Sequence, residues 1–363
     1  MPEKDTNPYQ GKRVLIMAGG TGGHVIPALS LASEFRKRGL TVEWLGSPNG
    51  IENRLVPAAD IPLNHVQVAG LRGKGIRRKL SAPWLIIRSV WQAISVLRRY
   101  KPDLVIGLGG FASGPGGLAA WIMRVPLFIH EQNAVAGMTN RWLNRFARKT
   151  FAAFPGAFAE DKAVVSGNPV RNELFDIAPV CTENERYHLL VVGGSLGAQA
   201  INDCLPEALS SIPEHQRPVV RHQSGKGKKD RTCQAYQAVN IDSDVTEFID
   251  DMHQAYSWAD LVLCRAGALT VSELAAAGRA SVLVPLPIAV DDHQTANARF
   301  LVHEKAAVLM PQKEMNASTL AKVLTDLSAD KKQLKQMGLN ARKAAQPRAT
   351  SQVVDECLEI CFD

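Results

Sequence analysis

The sequence predicts an α/β protein made of two doubly wound domains in tandem, and three observations carry that expectation. Short β-type runs alternate with helical patterns along most of the 363 residues, the order that builds parallel sheets from βαβ units. The pattern restarts near residue 188, after SGNPVRNELF (residues 166–175), where Gly167, Asn168 and Pro169 break every periodicity. Each β-type run also ends in a glycine-rich or polar loop, the end at which open parallel sheets bind ligands. A chain of this length exceeds one ordinary hydrophobic core, which agrees with two domains. The expected boundaries are 1–168 and 169–347, with a terminal amphipathic helix over about 348–363 packing back on the first domain.

In the first half, RVLIMAG reads as a strand, followed by GGTGGH (19–24) and a helical stretch to Arg38. TVEWLG is the next strand, then a basic helical segment, then DLVIGLGG with a second glycine loop, GGFASGPGG (109–117), and VPLFIHE. In the second half HLLVVGGS leads into GGSLGAQ (193–199), VVRHQSG and VTEFID follow, and LVLCRAG leads into RAGALTVSE (265–273). ASVLVPL then precedes the polar loop DDHQTANA (291–298).

Composition narrows the class. With 46% hydrophobic and 21% charged residues the chain reads as an ordinary globular protein. No apolar run approaches the ~18–20 residues of a membrane span, and the polar start MPEKDTNPYQGKR is no signal peptide, so a cytoplasmic protein is expected. Six scattered cysteines lack CxxC or zinc-finger spacing, so neither a disulfide nor a structural metal is expected. Charge is uneven: residues 1–170 hold 22 Lys+Arg against 10 Asp+Glu, and residues 61–102 hold nine cations and no acid.

The glycine loops carry the chemistry. A strand, a glycine loop and a helix N-terminus make an anion site, because unpaired N–H groups and the helix dipole face the ligand. GGTGGH fails the dinucleotide fingerprint GxGxxG, whose third glycine would fall on Val25, and no P-loop is present. His24 begins the following helix, where the dipole favours a neutral, proton-accepting imidazole. A second such loop with Gly109, Gly110, Ser113, Gly114, Gly116 and Gly117 suggests a diphosphate or another large polar ligand. In the second half Ser195 adds a hydroxyl to its loop, and Glu273 sits early in a helix starting near Ala268, placed to accept bonds from vicinal ribose hydroxyls. Gln294 and Asn297 carry amides suited to sugar hydroxyls. IDSDV contains a DxD spacing, read as a polar stretch and not as a Mg²⁺ site.

In the basic segment, Leu80, Trp84, Ile87, Trp91 and Ile94 recur at helical spacing beside Arg77, Arg78, Lys79 and Arg88. Arg141, Arg145 and Arg148 are expected on one helix face near Trp142 and Phe146. Cations interleaved with Trp and aliphatics fit either a helix lying on an anionic membrane or a core helix with a basic outer face. No recognition motif accompanies the charge, so nucleic acid is not expected.

GGTGGH, GLRGKG, GGFASGPGG, HEQN, FPGAF, GNPVR, HQSGKG, VTEFIDDM and RAGALTVSE, in this order, resemble the MurG family, the N-acetylglucosaminyltransferases of peptidoglycan synthesis. The likeness runs from about residue 12 to 300 and fits loosely over the last 60 residues, and Phe111 stands where relatives often carry Tyr. The resemblance implies a GT-B glycosyltransferase fold, with two Rossmann-like domains facing across a cleft. It implies inverting transfer of GlcNAc from UDP-GlcNAc to the MurNAc 4-hydroxyl of undecaprenyl-pyrophosphoryl-MurNAc-pentapeptide (lipid I), forming β(1→4)-linked lipid II without a cofactor.

By the same similarity Ile249 places its backbone against uracil, Glu273 holds the ribose, and Ser195 with Ala268, Leu269, Thr270, Val271 and Ser272 meets the diphosphate. Thr21, Gly22, Gly23, Asn133, Arg171 and Gln294 match donor-contacting positions. His24 is the expected general base, with His130 and Glu131 in reserve. Ile76, Arg77, Arg78, Lys79, Leu80, Trp84, Trp121, Arg141 and Arg145 form the expected membrane patch at the cytoplasmic face of the inner membrane, where contacts with other cell-wall synthesis proteins are expected too. The alternatives are a UDP-GlcNAc 2-epimerase and a membrane-docked UDP-sugar-binding protein without turnover.

Overall fold

A computed structural model describes residues 7–68, 76–159, 161–180, 186–194, 196–287 and 289–362, with the side chains of 76–83 and 290 left aside. The chain divides into two compact units, Met1–Val170 with Arg348–Asp363, and Arg171–Pro347.

Unit 1 runs β1 (Arg13–Ala18), α1 (Gly22–Lys37), β2 (Thr41–Gly46), α2 (Glu52–Ala58), β3 (Leu63–His65), α3 (Ile76–Tyr100), β4 (Leu104–Gly109), α4 (Ser113–Ile122), β5 (Leu127–Glu131), α5 (Met138–Leu143), β6 (Lys149–Ala152) and β7 (Val164–Val165). Its strands pair in parallel in the order β3-β2-β1-β4-β5-β6-β7. Because a parallel sheet is covered on both faces, β1 is a continuous apolar run, and Val14 to Ala18 are all buried. Val14, Ile16, Phe35 and Trp44 face one core layer; Leu15, Met17, Ala93, Leu97 and Leu127 face the other.

Unit 2 runs β8 (His188–Val192), α6 (Gln199–Ser210), β9 (Val219–Gln223), α7 (Lys229–Ala238), β10 (Asp244–Thr246), α8 (Met252–Trp258), β11 (Leu261–Cys264), α9 (Ala268–Ala277), β12 (Ala280–Leu283), α10 (His293–His303), β13 (Ala307–Leu309), α11 (Ala317–Ala329) and α12 (Lys331–Ala344). Its sheet order is β10-β9-β8-β11-β12-β13, again parallel. The final helix, α13 (Ala349–Phe362), returns to unit 1, where Val353, Val354, Cys357 and Leu358 enter the α1 face of the core.

Three expectations need correction. The stripe Trp84, Ile87, Trp91, Ile94 does not share one environment: Trp84 and Trp91 are 66% and 62% exposed, while Ile94 is buried beside Val90, Ala93 and Leu97. The core-facing row of α3 is therefore rotated from the row that includes the tryptophans. Second, α5 ends at Leu143, which removes Arg145 and Arg148 from the helix carrying Arg141. Third, VTEFID is a strand only as far as Thr246, and Phe248 and Ile249 lie in the loop beyond it. GLRGKG and Ser195 lie outside the described residues, as do the side chains of Ile76, Arg77, Arg78, Lys79 and Leu80.

Candidate active site

In each sheet the strand order reverses once, between β1 and β4 in unit 1 and between β8 and β11 in unit 2. The reversal sends the crossover helices to opposite faces and opens a crevice at the carboxyl ends of those strands. All four glycine loops stand at these points: GGTGGH follows β1, GGFASGPGG follows β4, GGSLGAQ follows β8 and RAGALTVSE follows β11.

Much of the glycine in unit 1 serves the packing of the loops themselves. A Cβ on Gly110, whose φ is +82°, would stand 2.3 Å from the Gly19 carbonyl oxygen, so the two loops touch backbone to backbone. A Cβ on Gly19 would stand 2.5 Å from Oε1 of Glu52. Gly116 fits against Met17 and Leu45, and Gly117 against Leu143, so both close the packing of α4 instead of facing a ligand. Ser113 is likewise internal, accepting the Gly109 N–H at 3.2 Å and lying 2.7 Å from the Gly109 carbonyl. Gly22 and Gly23 differ: a Cβ there would meet nothing nearer than 3.5 Å and 3.7 Å, and neither has a left-handed φ. The fold does not require their bareness, and α1 has no side-chain cap on its N-terminus at Thr21.

Glu52, which the sequence did not single out, organises the first loop. Its buried carboxylate accepts the Gly20 N–H at 2.9 Å, the Ser47 N–H at 2.9 Å and the Ser47 hydroxyl at 2.7 Å. Burial opposes its charge most strongly, yet these hydrogen bonds together outweigh burial and hold the carboxyl below its ordinary value. An isolated acid at a helix start gives no signal of this role.

His24 is the third residue of α1. Its Nδ1 lies 2.7 Å from Oε1 of Gln132, and its ring rests on the bare side of Gly109, where a Cβ would be 3.1 Å from Cε1. His130 and Glu131, the reserve bases, are both turned inward, so that expectation is corrected. His130 is fully buried, its Nε2 donates to the Gly167 carbonyl at 2.9 Å, and burial lowers it to about 4. Glu131 accepts from the Asn133 and Gly137 backbone N–H groups at 2.9 and 3.0 Å and from the Asn140 amide at 2.8 Å. Asn133 is thereby fixed at the rim through its backbone and its side-chain amide, which donates to the same carboxylate at 3.1 Å.

In unit 2 the loop after β8 leans on the loop after β9: a Cβ on Gly197 would stand 2.0 Å from the Ser224 carbonyl. Buried Asn202 donates to that same carbonyl at 2.9 Å, and His222 with Tyr236 backs it. Helix α9 starts at Ala268 with Gly267 as N-cap and no side-chain cap, which leaves the N–H groups of its first turn for a ligand. Val271 is buried; the Ser272 hydroxyl bonds back to the Ala268 carbonyl at 2.9 Å. Glu273 is buried too, with Oε2 accepting from Tyr256 at 3.2 Å; burial raises it to about 7 against the opposing pull of Arg171. Arg171 is half-buried, and the 3₁₀ turn it begins is strapped down by Arg342, which donates to the carbonyls of Phe175 and Ile177. Gln294 accepts the Leu286 N–H at 2.9 Å and shapes its loop, next to Asp291 and Asp292 in the left-handed region. Asn297, expected at sugar hydroxyls, is instead fully buried and braces the Ala266 carbonyl at 3.2 Å.

Comparison with known proteins agrees with this architecture. Residues 14–152 match the glycosyltransferase family 28 N-terminal domain and residues 188–353 its C-terminal domain, so the likeness extends well beyond residue 300. The UDP-N-acetylglucosamine–N-acetylmuramyl-(pentapeptide) pyrophosphoryl-undecaprenol N-acetylglucosamine transferase of Chromohalobacter salexigens is 56% identical over 352 residues, 96% of each chain. The crystal structure of Acinetobacter baumannii MurG superposes with a TM-score of 0.81 at 43% identity, over 96% of this chain and 99% of that one. A UDP-N-acetylglucosamine 2-epimerase superposes at 0.66 with 15% identity, over 97% of each chain, which is a likeness of fold alone. The chain belongs to glycosyltransferase family 28, among the MurG transferases.

Proposed function

We infer that the chain transfers GlcNAc from UDP-GlcNAc to the MurNAc 4-hydroxyl of lipid I, forming lipid II for peptidoglycan. The observation that carries this is its identity of 56% over nearly the whole length with a transferase of that name, both family domains being present in order. It is a UDP-GlcNAc-dependent N-acetylglucosaminyltransferase of GT-B fold.

For the chemistry, the acceptor hydroxyl attacks the anomeric carbon from the face opposite UDP, so the α donor linkage becomes a β(1→4) bond. One proton must leave the hydroxyl, and one diphosphate must leave with the bond's electron pair. We assign the proton to Nε2 of His24, a role worth about 10²–10⁴-fold in rate. The leaving diphosphate is held by the first-turn N–H groups of α9, Ala268 to Thr270, with Ser195, where the helix dipole opposes the developing charge. Ile249 takes the uracil edge and Glu273 the ribose hydroxyls. Thr21, Gly22, Gly23, Asn133, Arg171 and Gln294 complete the donor contacts. The open space at Gly22 and Gly23 supports close approach of a substrate to that backbone.

The membrane reading rests on the surface of unit 1. Trp84, Ile86, Ile87 and Trp91 of α3, Trp121 and Ile122 of α4, and Met138 and Trp142 are exposed, and α3 packs on α4 and α4 on α5. Trp121 packs at a tilt and Trp142 edge-on against Phe146, with ring centroids 4.9 and 5.1 Å away, so the aromatic surface is continuous there. Arg88, Arg141 and Arg145 are its cations. Among the described residues no helix is long and apolar enough to cross a membrane. Apolar anchors with basic neighbours support peripheral docking on the anionic cytoplasmic face of the inner membrane, beside the lipid-linked acceptor and other cell-wall synthesis proteins.

The test is UDP release from UDP-GlcNAc with and without a short-lipid analogue of lipid I, in buffer with EDTA and in buffer with Mg²⁺. Release only with acceptor, in both buffers, fits a metal-independent transferase. Turnover of the donor alone would turn the assignment toward an epimerase, and binding without turnover toward a sensor. Near-normal kcat in His24→Gln at saturating acceptor would remove His24 as the base.

A further inference from the structure

Behind His24 lies a buried hydrogen-bond chain, and its directions can be worked out from its two backbone ends. The Gly167 carbonyl can only accept, so Nε2 of His130, 2.9 Å away, carries the hydrogen. His130 is fully buried and neutral, which leaves its Nδ1 as an acceptor. The amide nitrogen of Gln132 meets both that Nδ1, at 3.1 Å, and the His130 carbonyl, at 2.9 Å. Two acceptors at one end fix the amide with nitrogen inward and Oε1 outward. Oε1 in turn lies 2.7 Å from Nδ1 of His24, so that ring nitrogen must be the donor.

We propose that Gln132 and His130 are positioning residues, which hold His24 in the Nδ1–H tautomer with the lone pair of Nε2 directed at the acceptor hydroxyl. This rests on the reading of His24 as the base and explains what makes it one. In water a neutral histidine exchanges freely between tautomers, and the ring also rotates; here both freedoms are removed before substrate arrives. The anchors are hidden, Gln132 being 1% exposed and His130 fully buried, so no water competes for the bonds. Gly109, which the ring rests on, and the two carboxylates of the neighbouring loops and strand end offer no competing partner either. Gly109 presents only backbone, the Glu52 carboxylate is occupied by Gly20 and Ser47, and that of Glu131 by Asn133, Gly137 and Asn140. A neutral amide behind the base, in place of a carboxylate, orients it without adding charge.

The direct test is ¹⁵N NMR of protein labelled on histidine, with the His24 signals identified by their loss in His24→Gln. Nδ1–H on His24 is expected in the wild type, and a mixture of tautomers in Gln132→Met. Nε2–H in the wild type would overturn the proposal whatever the fate of the base assignment. In kinetics, Gln132→Met should lose about 10- to 100-fold in kcat with KM for UDP-GlcNAc unchanged within about threefold, part of the general-base contribution. Gln132→Glu restores an oxygen opposite Nδ1, so it should regain part of that kcat while moving the acid limb of the pH profile upward, because a carboxylate favours imidazolium. In His24→Gln the Gln132→Met change should cost nothing further. A full second loss in the double variant would show that Gln132 acts elsewhere and would sink the proposal, while leaving His24 as the base. Normal turnover in His24→Gln alone would instead remove the base reading.

Discussion

Tyr256, fully buried, donates its phenol hydrogen at 3.2 Å to Oε2 of Glu273, which keeps 7% exposure. Burial is the larger influence on Glu273 and lifts it to about 7, while Arg171 and the Tyr256 bond pull the other way. An acid with a folded pKa above its unfolded value of 4.5 binds more protons folded than unfolded, so stability declines as pH rises from about 4.5 to about 7. The decline is at most about 3 kcal/mol. Glu273→Gln has no such titration. Its melting temperature relative to wild type should climb between about pH 5 and pH 8, even as UDP-GlcNAc binding weakens. Parallel melting curves for the two proteins across that range would mean that Glu273 is not held in the folded state as a costly carboxylate.

Glycines of the two unit 1 loops should separate by what surrounds them. Gly110→Ala places a Cβ 2.3 Å from the Gly19 carbonyl at a left-handed φ, so both loops must shift; a loss of about 2–4 kcal/mol is expected in urea unfolding. Gly23→Ala has room in the first turn of α1 and should leave stability unchanged or raise it by about 0.5–1 kcal/mol. If substrate approaches there, the same variant should raise KM for UDP-GlcNAc at least about tenfold, the effect of losing ~1.4 kcal/mol. Unchanged KM and kcat in Gly23→Ala would leave that glycine without a part in binding.

Those contrasts also explain which parts of the molecule were legible beforehand. Strand runs and glycine loops are local patterns, so the parallel sheets and the four loops at their carboxyl ends could be read from the letters alone. Which of those glycines face a ligand could not, because Gly116 is fixed by Met17 and Leu45 and Gly110 by Gly19, contacts made only in the folded chain. The same holds for Glu52, whose partners Gly20 and Ser47 come from two different loops. Ser113 and Asn297 were attractive as polar groups near loops, yet each satisfies backbone atoms inside the protein. On α3, spacing alone allowed several apolar rows, and only packing against α4 and the sheet decides that Ala93 and Leu97 go inward while Trp84 and Trp91 stay out.

Glu52→Gln tests the loop brace. The carboxylate accepts three hydrogen bonds, and the amide nitrogen of Gln would face an N–H donor it cannot accept from, so about 2–3 kcal/mol of stability should be lost. Because the folded pKa is depressed, the stabilisation from the charge is present above the ordinary carboxylate value and disappears as pH falls through the folded one. The wild-type advantage over Glu52→Gln should therefore shrink on acidification. A constant gap across acid pH would mean that the ionised form is not what the loop holds.

The exposed tryptophans of α3 offer the clearest separation of docking from folding. Trp84 and Trp91 lie on the outer side of a helix whose inner side, Val90, Ala93, Ile94 and Leu97, already fills the core of unit 1. Replacing both by Ala should change unfolding free energy by no more than about 0.5 kcal/mol, since neither contributes to that core. At a membrane the same side chains would bury apolar surface worth about 1.5–3 kcal/mol each when fully covered. Partial insertion of the pair should still give at least tenfold in partition onto vesicles containing a quarter anionic lipid. Arg88→Gln should weaken binding to those vesicles less, and its effect should vanish in high salt, because exposed charges are screened there while apolar contacts are not. Co-sedimentation at low and high salt distinguishes the two contributions. If the double tryptophan variant sediments like wild type at both, α3 does not meet the membrane, and its exposed row must be covered by protein.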